Sequence, residues 1–253
     1  STSTDAGAAY VFVRSGGVWT QQQKLIASDG SFADQFGESI SISGDTLVVG
    51  AIEDDDHGDK SGSAYVFMRS GGLWTEQHKI TAYDAAAGDL FGLSVSISGD
   101  TLVVGAMGDD HQGNSGGSAY VYTRNIDTWL VQQKLLASDG YEGDSFGVSV
   151  AISEETVVVG AQFGNDPDTG AIYVYVRNGS VWSEQQRLIA SDGGSGDNFG
   201  FGVAISGDTI VGGSYRNDGK GSVYVYQEGR LCTKQGQCIC KPGYGGADCG
   251  TEL

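Results

Sequence analysis

Short stretches of alternating and of continuous apolar residues recur along the chain at a fixed spacing. Residues 91–106 begin with Phe-Gly, alternate serine with Val and Ile, and end in a continuous apolar run that closes with Gly-Ala. Copies begin at Phe36, Phe146 and Phe199, so successive units are 55, 55 and 53 residues apart. A constant period of this size is typical of repeat proteins, in which each unit buries a face against the next one.

Within each unit the pattern predicts two apolar strands. In residues 94–98 serine alternates with Val95 and Ile97, which places both apolar side chains on one face of a strand. A Gly-Asp pair follows and predicts a tight turn. The continuous apolar residues 101–106 then predict a second strand that is covered on both faces.

Two more strands complete the unit, and the fourth is polar. An aromatic-rich segment at 63–69 predicts a third strand, and a segment that starts at Trp74 predicts a fourth. Copies of the third segment lie at 9–14, 119–124, 172–177 and 223–227, and copies of the fourth start at Trp19, Trp129 and Trp182. The basic residues near the end of the fourth segment predict an exposed edge that is protected against incorrect pairing; they are Lys24, Lys79, Lys134 and Arg187.

Four antiparallel strands that grade from apolar to polar predict an all-β fold, a β-propeller of about four four-stranded antiparallel blades. The chain holds two predicted strands before the first full unit, three full units and three strands after them, which makes seventeen. A closed ring of four four-stranded blades needs about sixteen strands, which is fewer than the number predicted. Three arrangements of the predicted strands therefore stay open. We favour a four-bladed ring or near-ring, the closed form of which has the N-terminal pair complete the last blade. Part of a larger ring and closure by a partner are the other two arrangements.

The invariant residues of the repeat are interpreted as structural. We expect the four tryptophans to pack over third-strand aromatics of a neighbouring unit rather than to stack on sugars. The residues assigned to this structural set are Phe36, Gly37, Phe91, Gly92, Phe146, Gly147, Phe199, Gly200, Trp19, Trp74, Trp129 and Trp182.

An acidic loop after the second strand is a candidate calcium site. Calcium takes six to eight oxygen ligands, which closely spaced carboxylates and backbone carbonyls can supply. The candidate ligands are Asp54, Asp55, Asp56, Asp59, Asp109, Asp110, Asp166 and Asp168. A solvated turn, in which Asp and Asn bond to their own backbone, is the alternative interpretation.

A second acidic loop precedes each Phe-Gly pair and repeats two aspartates five residues apart. The pairs are Asp29 and Asp34, Asp84 and Asp89, Asp139 and Asp144, and Asp192 and Asp197. A catalytic acid and base form one asymmetric site, whereas these pairs occur in four similar copies. We therefore interpret them as turn caps that accept backbone N–H groups. The three histidines form no Ser-His-Asp pattern, so the chain is not expected to be an enzyme.

Charge excludes two classes of partner. The chain carries 14 Lys and Arg against 32 Asp and Glu, a formal charge of −18. Binding to nucleic acid or to an anionic membrane requires a basic surface. No apolar run approaches the about 20 residues of a membrane span. The start at Ser1, without Met or a signal peptide, leads us to expect a processed or excised chain.

The repeated Phe-Gly…Val-Gly-Ala phrase resembles the FG-GAP repeat of integrin α-subunit propellers over roughly residues 5–228. The resemblance implies a β-propeller of an extracellular adhesion or recognition protein. The proline of the family's name is replaced by Ile52, Met107 and Gln162. The family's calcium loop between the first two strands, Asp-x-Asp-x-Asp-Gly, is also missing, so the resemblance implies no calcium site at that position.

All four cysteines lie in a predicted second domain at 229–253, after a propeller domain at 1–228. The spacing of Cys232, Cys238, Cys240 and Cys249, with Pro-Gly-Tyr after the third, resembles the C-terminal half of an EGF-like module. The resemblance implies a Cys240–Cys249 bridge and by default a Cys232–Cys238 bridge, whereas the sequence by itself leaves all three pairings open. A zinc site is the alternative, although the paired C-x-x-C arms are missing.

Disulfides place the chain in an oxidising compartment, and Asn178-Gly179-Ser180 adds a candidate N-glycan at Asn178. We expect a secreted or cell-surface, non-catalytic adhesion or structural module that contacts protein partners or copies of itself. A lectin with repeated sugar sites between blades is the alternative. A hydrolase would need a unique pocket that the sequence does not indicate. No cofactor is expected other than the candidate calcium.

Overall fold

Strands make up nearly all of the regular structure in the computed structural model. It describes residues 5–164 and 168–227 and, beyond them, the strand residues 230–232, 238–240, 244–245 and 251–252. The seventeen strands predicted from the sequence are present as β1–β17, which confirms the all-β class. The one helix among the described residues is a single 3-10 turn at Asn217–Gly219.

The strands form consecutive antiparallel sheets, each drawn from one stretch of chain. We call the first sheet the half-blade; it contains β1 (Ala9–Ser15) and β2 (Val18–Leu25). Blade 1 contains β3 (Phe36–Ser43), β4 (Thr46–Ala51), β5 (Ser63–Ser70) and β6 (Leu73–Ile80). Blade 2 contains β7 (Ser94–Ser98), β8 (Thr101–Ala106), β9 (Ser118–Asn125) and β10 (Thr128–Leu135). Blade 3 contains β11 (Phe146–Ser153), β12 (Thr156–Ala161), β13 (Ala171–Asn178) and β14 (Val181–Leu188).

The last blade contains three strands of the repeat and two from the tail. Its members in order are β15 (Phe199–Ser206), β16 (Thr209–Ser214), β17 (Ser222–Gln227), β18 (Arg230–Cys232) and β19 (Cys238–Cys240). A separate pair, β20 (Tyr244–Gly245) and β21 (Thr251–Glu252), follows. The backbone of the tail therefore extends the sheet of the last blade. The domain boundary at 228 and the EGF-like module stay predictions.

The hydrophobic core lies between consecutive blades. We call the side of a blade that packs on the preceding blade its front face and the other side its back face. Between blades 1 and 2, Val48 and Val66 of one back face pack with Val95 and Ile97 of the next front face. Phe91 lies edge-on to Tyr120 and Tyr122, with ring centroids 5.5 and 6.2 Å apart. The alternation read in the sequence thus selects the residues that face the neighbouring blade.

The Phe-Gly and Val-Gly pairs bring the inner strands of adjacent blades into backbone contact. The amide of Phe91 donates to the carbonyl of Ser61 across 3.0 Å. A β-carbon on Gly105 would lie 2.0 Å from the carbonyl oxygen of Gly147. Only a residue without a side chain fits there, so the conserved spacing of these pairs has a steric cause.

A ring closed by the N-terminal pair is wrong for the described chain. The half-blade forms a sheet of its own and does not complete the last blade, because β16 pairs with β17 and β17 with β18. Trp19 and Val223, on the outer faces of the two end sheets, are both largely exposed, so the row of blades is open, and we call it the arc. Among the described residues no helix has the length and apolar character needed to cross a membrane.

The close approach at Gly105 predicts a large cost for one methyl group. We expect Gly105→Ala to lower the free energy of unfolding by about 3 kcal/mol, because the backbone of Gly147 must move. Urea unfolding followed by tryptophan fluorescence measures the change.

The matched control is Gly202→Ala, in β15. A β-carbon at Gly202 meets no atom within 4 Å, so its effect should stay within about 1 kcal/mol. Equal losses for the two variants would contradict the steric explanation.

Candidate functional site

One end of the arc collects the loops with the most varied sequence. Because the strands are antiparallel, the loops that join blades and the loops between second and third strands meet at the same end. Their backbones are bonded together: the amide of Leu90 donates to the carbonyl of Lys60 over 3.1 Å, and that of Gly143 to Asn114 over 2.9 Å. We call this surface the loop end; its described residues are 26–35, 52–62, 81–93, 107–117, 136–145, 162–164, 168–170, 189–198 and 215–221.

A buried polar cluster anchors the loop end of blade 1. The Tyr65 hydroxyl lies 2.9 Å from Asp29 Oδ1 and 3.0 Å from Asp54 Oδ2. Lys79 Nζ lies 2.9 Å from Asp29 Oδ2, 2.7 Å from Asp54 Oδ2 and 2.5 Å from Asp56 Oδ2. The ammonium group thus occupies the position between carboxylates that a bound cation would take.

Blade 2 repeats the cluster with greater burial. Tyr120 hydroxyl lies 2.8 Å from both Asp84 and Asp109, and Lys134 Nζ lies 2.8 Å from the same two carboxylates. Burial by itself would raise the pKa of Asp109, but hydrogen bonds from Lys134, the His111 amide and Tyr120 outweigh it and lower the pKa. Burial, with the charge of Asp109, raises the pKa of Tyr120.

The cluster changes in the later blades. In blade 3, Gly164 stands where Asp54 and Asp109 stand in blades 1 and 2. Arg187 replaces the lysine and pairs with Asp139, to which the Tyr173 hydroxyl donates over 2.8 Å. An open pocket results, lined by Asp139, Tyr141, Glu142, Asp144, Phe163, Asp168 and Arg187. In the last blade, Asn217 Nδ2 donates to Asp197 over 2.7 Å.

The structure places the candidate calcium ligands in different surroundings, and it brings Asp54 and Asp56 together only at the ammonium group of Lys79. Asp54 and Asp109 are buried in the lysine clusters, whereas the other described candidates have exposed side chains; these are Asp55, Asp56, Asp59, Asp110 and Asp168. Asp166 lies outside the described residues. Within the described ranges no three His, Cys, Asp or Glu side chains are placed to hold a metal ion. The calcium site stays a prediction.

The repeated aspartate pairs divide into two roles. The second aspartate of each pair caps a turn as predicted, because it accepts a backbone amide three residues before it. These amide donors and acceptors are Ser31 to Asp34, Ala86 to Asp89, Tyr141 to Asp144 and Gly194 to Asp197. The first aspartate accepts the tyrosine hydroxyl of the third strand, a contact that the turn-cap interpretation did not predict. Burial raises the pKa of Asp34, Asp89 and Asp144.

Among the basic residues near the end of the fourth strand, Lys24 is exposed, whereas the lysines of blades 1 and 2 differ from the prediction. Lys79 and Lys134 turn inward to the carboxylates and do not protect an exposed edge. Sequence reasoning missed the cluster because its members lie some 25 to 50 positions apart. A usable signal was present: the aspartate, the tyrosine and the basic residue recur together in each of the three complete blades.

Exposed aromatic side chains stand on the loop end outside the repeat pattern. Phe32, Tyr83 and Tyr141 are 71%, 67% and 75% exposed. Exposed carboxylates of Asp55, Asp110 and Glu142 belong to the same surface. Because the three aromatics occupy different positions in their loops, the repeat pattern did not reveal them.

Three of the four tryptophans pack in the core between blades, but the third-strand aromatics that share their clusters belong to their own blade and not, as predicted, to a neighbouring unit. Trp74 and Trp182 are each 2% exposed, and their indole N–H groups donate to Gln22 and Gln132 of the preceding blade. Trp129 packs partly buried against the core between blades 1 and 2. Trp19 is 64% exposed, so the prediction is wrong for it, because no blade precedes the half-blade in the described chain.

Two further predicted sites have different outcomes. Asn178 is exposed where β13 turns into β14, at the end opposite the loop end. This position is accessible to a glycan, and the modification stays a prediction. The side chains of Cys232, Cys238, Cys240 and Cys249 lie outside the described residues, so their disulfides stay predictions as well.

A family model described as FG-GAP repeat matches the chain four times, at residues 19–67, 74–122, 129–175 and 182–226. The four matches cover well over half of the chain. Each match begins in a fourth strand and ends in the third strand of the next sheet, so each spans one junction between blades. A search of curated proteins finds no match to the chain.

The buried cluster of blade 2 predicts a large loss when its cation is removed. The side chain of Lys134 is 8% exposed, and Lys134→Met would leave the carboxylates of Asp84 and Asp109 without their cation. We expect the free energy of unfolding to fall by about 3 kcal/mol at neutral pH. Since the pKa of Asp109 is lowered in the fold, its stabilisation is present above the ordinary carboxyl pKa and is lost as pH falls through the folded value. The difference between variant and wild type should therefore shrink on acidification.

Lys60→Met is the matched control. Lys60 pairs with Glu53 over 2.7 Å on the surface, where water screens the charges. The midpoint of its urea unfolding should equal that of the wild type, both at neutral pH and at acidic pH. A similar loss in both variants, or a Lys134→Met deficit that does not depend on pH, would contradict the role assigned to the cluster.

Proposed function

Because the chain belongs to the FG-GAP repeat family, we propose that it is a non-catalytic, extracellular adhesion module whose loop end binds a protein partner. The observation that carries the proposal is the set of exposed aromatics Phe32, Tyr83 and Tyr141 on that end. Aromatic side chains are enriched in the centres of protein interfaces, where they contribute most of the binding energy.

The charge of the loop end indicates the partner's chemistry. Exposed carboxylates lie in the same loops as the aromatics. Lys79 and Lys134 are engaged with buried aspartates and Lys60 with Glu53, whereas Arg216 and Lys220 lie in the loop of the last blade. A partner with basic side chains around an apolar patch is complementary to this surface. Such charge complementarity raises the rate of association more than the final affinity.

The repeated polar clusters support a non-catalytic role. The carboxylates of Asp29, Asp84 and Asp139 each bind a tyrosine hydroxyl and a basic side chain of their own blade. These groups hold the strands and loops together in three similar copies, and none of the three clusters has the asymmetry of an acid and base pair. A secreted or cell-surface location is consistent with the predicted disulfides of the tail.

A lectin is the second candidate, and the pocket of blade 3 is the observation that favours it. Tyr141 and Phe163 lie beside Asp139 and Asp168 in that pocket, and an aromatic ring with nearby carboxylates suits a sugar. The equivalent places in blades 1 and 2 are filled by Asp54 and Asp109. A sugar would therefore have one site rather than a repeated set.

An array of purified extracellular proteins, printed beside a glycan array, tests the proposal. We expect saturable binding to a protein that weakens as salt is added, because charges are screened. The triple variant Phe32→Ser, Tyr83→Ser, Tyr141→Ser should lose most of this binding while its unfolding temperature stays unchanged, since the three side chains are exposed.

The control triple variant changes three apolar residues at the opposite end that are also more than half exposed: Leu73→Ser, Ile126→Ser and Val181→Ser. Binding that survives only in the control supports the loop end as the interface. Binding to glycans alone would instead support the lectin, and equal loss in both triple variants would contradict the proposal.

A further inference from the structure

The front face of the half-blade is an aromatic surface without a neighbour in the described chain. Tyr10 and Phe12 are half-exposed and Trp19 is largely exposed on this face. Their counterparts in blade 1, Tyr65, Phe67 and Trp74, occupy the same strand positions and are buried. The half-blade therefore exposes the aromatic face that blade 1 buries against its neighbour.

The back face of the last blade is also exposed, and its side chains are small and branched instead of aromatic. Val223 is 63% exposed and Val225 is 40% exposed on β17. Their counterparts on the third strand of blade 2, Ala119 and Val121, are fully buried by blade 3. Small and branched side chains thus stand open at one end of the arc and aromatic ones at the other.

These two faces are the two halves of a contact that already exists in the chain. Where the half-blade meets blade 1, Ala9 and Val11 of one third strand pack with Tyr65, Phe67 and Trp74. Val223 and Val225 hold the positions of Ala9 and Val11, as the third-strand alignment shows. Tyr10, Phe12 and Trp19 hold the positions of the three aromatics. Docking the two ends repeats the part of this contact that third and fourth strands make, because the half-blade has no inner strands to supply equivalents of Phe36, Leu47 and Val49.

The edge of the contact carries a matching polar interaction. Arginines at the end of the third strand reach back to the preceding blade: Arg124 Nη1 lies 3.6 Å from Met68 Sδ, and Arg177 Nη1 lies 3.4 Å from Thr101 Oγ1. Arg14 is the equivalent residue of the half-blade. Docked on a last blade, it would extend towards Thr209 and the acidic turn at Asp208.

We propose that a second copy of this chain docks its half-blade on the last blade, head to tail. Within one chain the two ends belong to separate sheets, and none of the core clusters among the described residues combines them. The contact uses different surfaces on the two copies, so it leaves one free end of each kind and continues into linear or ring-shaped assemblies.

Sedimentation velocity of the purified full chain over a wide range of concentration tests the assembly. Salt should be high enough to screen the repulsion between copies that each carry a formal charge of −18. We expect oligomers that grow with concentration. Phe12→Asp on the front face and Val223→Asp on the back face should each weaken self-association by more than about tenfold. Ile126→Asp, which adds the same charge at an exposed turn of blade 2, should assemble as the wild type does.

Mixing the two end variants identifies the geometry. The Phe12→Asp copy keeps an intact last blade and the Val223→Asp copy keeps an intact half-blade, so an equimolar mixture should form a dimer with one contact and nothing longer. A wild type that stays monomeric at every concentration, variants that dimerise by themselves, or a mixture that stays monomeric would overturn the proposal.

This inference is independent of the proposed function of the loop end. The triple variant Phe32→Ser, Tyr83→Ser, Tyr141→Ser should assemble normally, because these residues lie outside both end faces. If the chain fails to assemble but still binds a protein through the loop end, only the head-to-tail contact is wrong. Ring closure within one chain would appear as a monomer that the end substitutions destabilise without a change in mass.

Discussion

The contact between the inner strands of consecutive sheets is the constraint on which the arc depends. The second strand of each blade passes so close to the next blade that Gly50, Gly105 and Gly160 would each place a β-carbon about 2 Å from a carbonyl oxygen. The adjacent serine bonds the same carbonyl, as Ser94 does to Gly147 over 2.9 Å. Because these contacts are between backbones, they set the spacing of the blades and leave the side chains of the faces to fill the remaining volume.

The polar clusters solve a second problem, which is how an acidic chain holds its loops together. Each complete blade places a tyrosine of the third strand and a basic residue of the fourth strand against an aspartate from the loop before it. Buried carboxylates are stable only when they are paired and hydrogen-bonded. Using scarce cations internally leaves the outer surface of the loop end more acidic than the composition implies, which bears directly on what this surface attracts.

Repetition makes every face dependent on a neighbour. An inner blade is covered on both sides, whereas the half-blade and the last blade each keep one face open to water. Trp19 and Trp74 hold equivalent positions, yet Trp19 is largely exposed and Trp74 is buried, because only Trp74 has a preceding sheet to pack against. A solenoid normally ends in a polar capping unit, and neither end face of the described arc has such a cap.

The sequence by itself determined the strands, their order and the class of fold. Period-two alternation and the Phe-Gly and Val-Gly pairs act locally, and the seventeen predicted strands match β1–β17. The turn-capping aspartates were also predictable, because each acts on an amide three residues away. Only the tertiary structure decided that Lys79 and Lys134 point inward, that the aromatics of the loop end share one surface, and that the half-blade stands apart from the last blade. These three features depend on contacts between residues that are far apart in the chain. The repeated sequence pattern is also the same in a blade that is covered by a neighbour and in one that is not.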